Sequence, residues 1–161
     1  MSNTTQVAAI ILAAGQGTRM RSNLPKVLHP VAGRSMLGHV LALSDALFVS
    51  RRVVVVGPNM PVVEEAARKQ AADARIALQA KQQGTADAVK AAATEMAGFN
   101  GDVLILYADT PLVQSQTLQA MLAARHAGAS VVVLGFRPAD PSPYGRLVMG
   151  AGGDLQAIVE A

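Results

Sequence analysis

Along the chain, short continuous apolar runs alternate with longer stretches in which apolar residues return every three or four positions. Val7–Leu12 is a run with no polar interruption that ends at Gly15-Gln-Gly17, the pattern of a strand buried on both faces. From Ser35 the spacing of Met36, Val40, Leu43 and Leu47 predicts a helix, and Val53–Val56, stopped by Gly57-Pro58, predicts a second buried strand. Pro61 suits the first turn of a helix whose apolar stripe is Val62, Val63, Ala66 and Ala67. A short strand over 75–78 follows, then an alanine-rich helix capped by Thr85 and running to about Met96, with Ala88, Val89 and Ala92 facing inward. Asp102–Tyr107 is the third long strand, and Ser115 caps a helix to about His126. Val131–Phe136 predicts a further strand, and Leu147–Met149 with Leu155–Val159 around Gly150–Asp154 predicts a hairpin.

Strands and helices in this rhythm imply an α/β fold, an open, doubly wound, mostly parallel sheet of Rossmann-like type. In that architecture ligands sit beyond the carboxyl ends of the strands. The loops after Leu12 and after Tyr107 both fall at that edge.

Composition narrows the possibilities. With 161 residues the chain suffices for one core and is short for two, so a single domain is expected. Half of the residues are apolar but only 3% are aromatic, so Ala, Val, Leu, Ile and Met must build the core. The longest apolar run, Val7–Ala14, is far below the roughly 20 residues that span a bilayer, and the first residues lack a basic signal-peptide start. No membrane partner is therefore expected. Cysteine is absent, which removes disulfides and thiolate chemistry and fits a cytoplasmic protein. The net charge of +3 is scattered, without aromatic interleaving, so nucleic-acid binding is not indicated. His29, His39 and His126 show no ligand spacing and are read as structural.

The most informative stretch is Leu12-Ala-Ala-Gly-Gln-Gly-Thr-Arg-Met20 followed by Leu24-Pro25-Lys26. Two glycines allow the backbone to curl so that successive N–H groups converge on an anion, and Arg19 and Lys26 add positive charge. A dinucleotide-binding loop would need glycine where Met20 stands, and a Walker loop would need Gly-Lys-Ser/Thr. Neither a dehydrogenase nor a P-loop kinase fits. Asp109 ends a buried strand, where a carboxylate is costly unless paired with a cation.

The stretch from Leu12 to Lys26 matches in full the signature L-x-x-G-x-G-T-R-M-x4-P-K, and so resembles the nucleoside-triphosphate transferase family. Within it, Leu78-Gln79-Ala80, Gln83–Ala86, Tyr107–Leu112, Tyr144-Gly145-Arg146 and Ile158-Val159-Glu160 resemble the N-acetylglucosamine-1-phosphate uridylyltransferase family, in order along essentially the whole chain. The resemblance implies transfer of a uridylyl group from UTP to N-acetylglucosamine 1-phosphate, giving pyrophosphate and a sugar nucleotide used in peptidoglycan and lipopolysaccharide synthesis.

It further implies nucleotide contacts from Leu12, Ala13, Ala14, Gly15, Gly17, Lys26, Gln79, Gly84 and Thr85, with the Gln79 carboxamide pairing to the uracil edge. Arg19 and Lys26 are the implied catalytic cations, and Asp109 the implied Mg²⁺ ligand. Sugar contacts are implied for Tyr107, Ala108, Asp109, Gly145 and Glu160. Ala108 stands where the family usually has glycine, which raises the expectation of a methyl crowding the ligand. Members of the family continue past the equivalent of Ala161 with the rest of this domain and a left-handed β-helix acetyltransferase domain through which they oligomerise. The expectation is thus a C-terminally truncated nucleotidyltransferase domain. Thymidylyl, cytidylyl or guanylyl transfer, or nucleotide binding with little turnover, remain alternatives.

Overall fold

The computed structural model describes residues 5–15, 17 and 20–159. Chain contacts divide into two compact units, residues 1–120 and 121–161, and each is described by itself.

The first unit is built on four parallel strands: β1 (Val7–Leu12), β4 (Arg51–Val56), β5 (Arg75–Leu78) and β6 (Asp102–Tyr107), in the spatial order β5-β4-β1-β6. The central position of β1 explains its composition. Flanked on both edges by partners and on both faces by helices, Ala8, Ala9, Ile10 and Ile11 are buried, as are Val53, Val54, Val55 and Val56 of β4. The helices are α1 (Met36–Ala46), α2 (Pro61–Gln70), α3 (Thr85–Ala91) and α4 (Ser115–His126), the last running past the division between the units.

The chain steps outward from β1 to β4 to β5, then returns across the sheet to β6. Right-handed crossovers therefore set α1 and α2 on one face and α3 on the other. Packing agrees: Ile10, Val53, Val55 and Ala77 share one face and form a cluster with Ala88 and Ala92, against which Leu12, Val89 and Met96 also pack. The reversal of direction occurs between β1 and β6, which makes that gap the topological switch point.

Local chemistry sets the element ends. Ser35 caps α1, its Oγ accepting from the Gly38 N–H at 3.0 Å, and Pro61 occupies the first turn of α2. Several expectations are corrected. The buried face of α1 is Leu37, Val40, Leu41 and Ser44, not Met36, Leu43 and Leu47, because the helix presents the neighbouring stripe to α2 and the sheet. Thr85 is the first residue of α3 rather than its cap; Gly84, at φ 104°, holds that place, a conformation open to glycine. Helix α3 stops at Ala91, and the chain goes on to Gly98 in successive turns closed largely by N–H to i−3 carbonyl bonds. The small hairpin of β2 (Pro30–Val31) and β3 (Arg34–Ser35) inside the first crossover was not anticipated. Its two-residue turn uses Ala32 and Gly33, both at positive φ.

In the second unit, β7 (Arg146–Met149) pairs antiparallel with β8 (Leu155–Val159) around the expected glycine-rich turn, closed by Gly150 N–H to Asp154 O at 2.8 Å. Val131–Phe136 is not a strand: among the described residues no neighbour ladders to its backbone, and an apolar run becomes a strand only when its N–H and C=O groups are paired. Phe136 instead meets Tyr144 edge-to-face, with ring centroids 4.9 Å apart. No helix of the described residues is long and apolar enough to cross a membrane.

At the amino edge of the sheet, far along β4 from its carboxyl end, the buried guanidinium of Arg52 is bracketed by Asp45 at 2.7 Å and Asp73 at 2.6 Å. Its Nε has no partner. A buried charge stripped of its counter-charges costs more than a charge removed altogether. The double substitution Asp45→Ala/Asp73→Ala is expected to destabilise by about 3–5 kcal/mol, and Arg52→Met by less. Urea unfolding of the two proteins checks the order; a larger loss for Arg52→Met would overturn it.

Candidate nucleotide cleft

Each strand of the first unit hands its chain to a loop at the same edge, and the ladders extend one residue beyond the strands. Ala13 N–H donates to Val55 O (2.8 Å), Ala108 N–H to Leu12 O (3.0 Å) and Gln79 N–H to Val56 O (2.9 Å). These bonds fix the roots of three loops side by side. Between them lies a cleft of about 510 Å³, open at the switch point.

The floor comes from the first loop. Ala14, Gly15 and Gly17 line the cleft, and among the described residues nothing lies within 4 Å of where a Cβ would stand at Gly15. The space that a side chain would fill there belongs to the cleft. Gly17 has a different reason for being glycine. At φ 61° it sits in the left-handed region, and a Cβ would lie 2.5 Å from Lys26 Cβ. Its missing side chain is what lets the lysine close against the loop. Lys26 itself is held at the start of a 3-10 turn, Lys26–Leu28, behind Pro25 and anchored by buried Val27.

From the far wall, Asp109 follows β6 and its Oδ2 accepts from Lys26 Nζ at 2.7 Å, a pair 83 residues apart in sequence. Both side chains are about one-third exposed, so the pair sits at the cleft surface rather than in the core. Tyr107 lines the same wall.

The loop after β5 forms the remaining side, with Gln79, Gln82, Gly84 and Thr85 lining the cleft. Gln79 is only 5% exposed, and its Nε2 donates to Gly84 O (3.0 Å) and to Asp87 Oδ2 (2.9 Å). The carboxyl of Asp87 is held below its usual value, first by the Gln79 carboxamide and then by the Gln83 N–H. Because the folded-state value is the lower one, this latch is intact above the ordinary carboxylate range and is lost as pH falls through the lowered value. Gln82 reaches across to donate to Ala14 O, tying this loop to the first. Gly57 makes room for that tie: a Cβ there would stand 2.7 Å from Gln82 Nε2 and 3.0 Å from Ala14 O.

The residues named from sequence therefore separate into groups. Leu12, Ala14, Gly15, Gly17, Lys26, Gln79, Gly84, Thr85, Tyr107 and Asp109 all line one cleft. Ala13 and Ala108 are fully buried and do not line the cleft. Gly145 precedes β7 in the second unit. Arg19 and Glu160 lie outside the described residues. Sequence reasoning missed Gln82, in the loop before Gly84, and Asp87, in the first turn of α3. It also took the Gln79 amide as free to present both a donor and an acceptor, whereas both N–H groups are engaged within the protein. His29 and His39 are structural as expected, donating to Leu24 O (3.2 Å) and Val31 O (2.7 Å).

Among the described residues no group of three or more His, Cys, Asp or Glu side chains could enclose a metal ion. Among the described residues that line the cleft, the one acid is Asp109, and it already faces a cation in the Lys26 ammonium. A single carboxylate beside room for a polyphosphate fits magnesium, which takes few protein ligands and keeps water and phosphate oxygens.

Comparison with known proteins places this geometry. The chain is 54% identical over 158 residues to the bifunctional protein GlmU of Rhodospirillum rubrum, covering 97% of this chain and 34% of that protein. It thus spans about a third of the length of the curated relatives it matches. Among solved structures, 4-diphosphocytidyl-2C-methyl-D-erythritol synthase superposes with a TM-score of 0.67 at 22% identity, covering 99% of this chain and 70% of that one. A complex of Rv0371c from Mycobacterium tuberculosis H37Rv with manganese superposes with a TM-score of 0.61 at 20% identity, over 76% of this chain and 61% of that one. At these identities the two structures share the fold. The family model of the MobA-like NTP transferase domain matches residues 9–156, across the strands and loops that build the cleft, and the chain belongs to that family.

Proposed function

We propose that this chain binds UTP and transfers its uridylyl group to N-acetylglucosamine 1-phosphate, yielding UDP-N-acetylglucosamine and pyrophosphate. The observation that carries the reading is the 2.7 Å pair of Lys26 and Asp109 inside the cleft, between the bare backbone of Gly15 and the buried amide of Gln79. A cation, a carboxylate and an open glycine backbone meet there at the switch point of an α/β sheet. The choice of uridine and of this sugar phosphate rests on the likeness to bifunctional GlmU along nearly the whole chain.

In the reaction, a phosphate oxygen of the sugar phosphate attacks the α-phosphorus of UTP. The bond from that phosphorus to the oxygen bridging the β-phosphate breaks, and its electron pair leaves with pyrophosphate. No covalent enzyme intermediate is needed, so the task of the protein is to align two anions and offset their charge. Gly15 leaves open space in which phosphate can approach the loop, and Gly17 lets Lys26 close against that loop. On arrival of the polyphosphate, Lys26 exchanges its contact with Asp109 for phosphate oxygens. Asp109 would hold Mg²⁺, which when bound supplies charge neutralisation at the phosphates. That the same fold holds manganese in Rv0371c supports a divalent cation here. Arg19 is assigned to the leaving pyrophosphate, and Tyr107 and Asp109 to the sugar. Because the proposed substrates are a nucleoside triphosphate and a sugar phosphate, the reaction is assigned to the cytoplasm.

Pyrophosphate release is the direct test, with UTP, Mg²⁺ and a panel of sugar phosphates. N-acetylglucosamine 1-phosphate is expected to give the highest rate, and Lys26→Ala to lower it about 10²–10³-fold. Release from another nucleoside triphosphate, or none with any sugar phosphate, would refute the assignment.

The two loop glycines should fail differently. Gly17→Ala is expected to lose about 1–3 kcal/mol in urea unfolding, from left-handed strain and collision with Lys26. Gly15→Ala should unfold within about 0.5 kcal/mol of the parent yet bind UTP more weakly, as calorimetric titration would show. Equal stability of the two variants would contradict the different packing of the two positions.

A further inference from the structure

We propose that Asp87 is a positioning residue that locks the Gln79 carboxamide with its carbonyl oxygen toward the cleft, so that the site selects a base offering an N–H donor and rejects one offering a bare nitrogen acceptor. The inference rests on the nucleotide reading above and assigns the base discrimination to a residue outside the loop signature.

A carboxamide has one donating and one accepting end of nearly the same shape, and an unconstrained glutamine can present either. Gln79 is constrained on both counts. Its backbone is laddered to Val56 O at 2.9 Å, and its side chain is buried. The two groups that meet its outer end are the Gly84 carbonyl, 3.0 Å away, and the Asp87 carboxylate, 2.9 Å away. Both can only accept. Turning the amide over would set the oxygen of the buried Gln79 against two acceptors and forfeit both of its hydrogen bonds, which a buried amide resists.

Of the two, the carboxylate is the stronger lock, since a charged acceptor makes a stronger hydrogen bond than a neutral carbonyl. Asp87 is itself secured. It lies in the first turn of α3, accepts from the Gln83 N–H at 3.3 Å, and has Lys81 and Lys90 nearby in its electrostatic surroundings. Its lowered pKa keeps it ionised at neutral pH.

With both amide hydrogens committed, the oxygen is the polar atom Gln79 has left to offer a ligand. Uracil brings an N3–H donor to such an oxygen. Cytosine brings N3 without a hydrogen, so two acceptors would face each other. Discrimination of this kind, built on a fixed acceptor, is far larger than a shape mismatch can give.

Calorimetric titration of the parent, Asp87→Ala and the nearly isosteric Asp87→Asn with UTP and CTP, each with Mg²⁺, tests the proposal. The parent is expected to favour UTP, and each variant to narrow the UTP-to-CTP affinity ratio by about tenfold, because the amide can then turn over. Circular dichroism identifies which variants are folded, and the Asn variant carries the test if the Ala variant is not. A narrowed ratio in either folded variant supports the proposal. An unchanged ratio, with UTP and CTP weakened alike, overturns it and leaves the nucleotide reading standing. Equal affinity of the parent for UTP and CTP overturns the base reading and this inference together.

Discussion

Everything in the first unit depends on β1 being paired along both edges at once. Its parallel ladders to β4 and β6 run almost its full length, and no side chain from Ala8 to Ile11 reaches solvent appreciably. The small residues Ala8 and Ala9 in a strand so enclosed suit close approach of layers on both faces. Because all four strands are parallel, their exits share one edge, and the loops that carry chemistry are neighbours by construction. The amino edge is left to structure, as the Arg52 bracket illustrates.

Within the cleft, glycine serves three separate physical needs. Gly15 leaves open space, Gly17 yields to Lys26, and Gly57 yields to the contact between Gln82 and Ala14. The polar groups are arranged in the same economical way. Lys26 and Asp109 satisfy one another, and the Gln79 amide N–H groups are engaged by the Gly84 carbonyl and the Asp87 carboxylate. Two such pairs on opposite walls keep the walls of the cleft defined without a ligand.

Much of this was legible from residues alone, for reasons that differ by element. Buried parallel strands announce themselves as unbroken apolar runs, and β1, β4 and β6 fall where those runs are. The first loop was legible because Gly17 and Lys26 are fixed in spacing by the close approach between them. The packed stripe of α1 was not, since Leu37 and Leu41 compete with Met36 and Leu43 and only the neighbouring layers decide between them. The apolar run 131–136 looked like a strand by composition, but pairing is a property of neighbours, which the run itself does not encode. Nor could the orientation of the Gln79 amide be read in advance. It depends on Asp87 lying one turn into a helix whose start is set by the positive φ of Gly84.

The 83-residue separation of Lys26 and Asp109 has a consequence for how the molecule is made. The pocket wall carrying Asp109 exists only once the last parallel strand has docked on the first, a late and entropically demanding event in a sheet of non-local pairings. The nucleotide proposed as ligand would meet the Lys26–Asp109 pair only on the assembled sheet. It can deepen the native basin once the sheet is assembled, slowing escape from it, but it offers no guidance to the search that leads there.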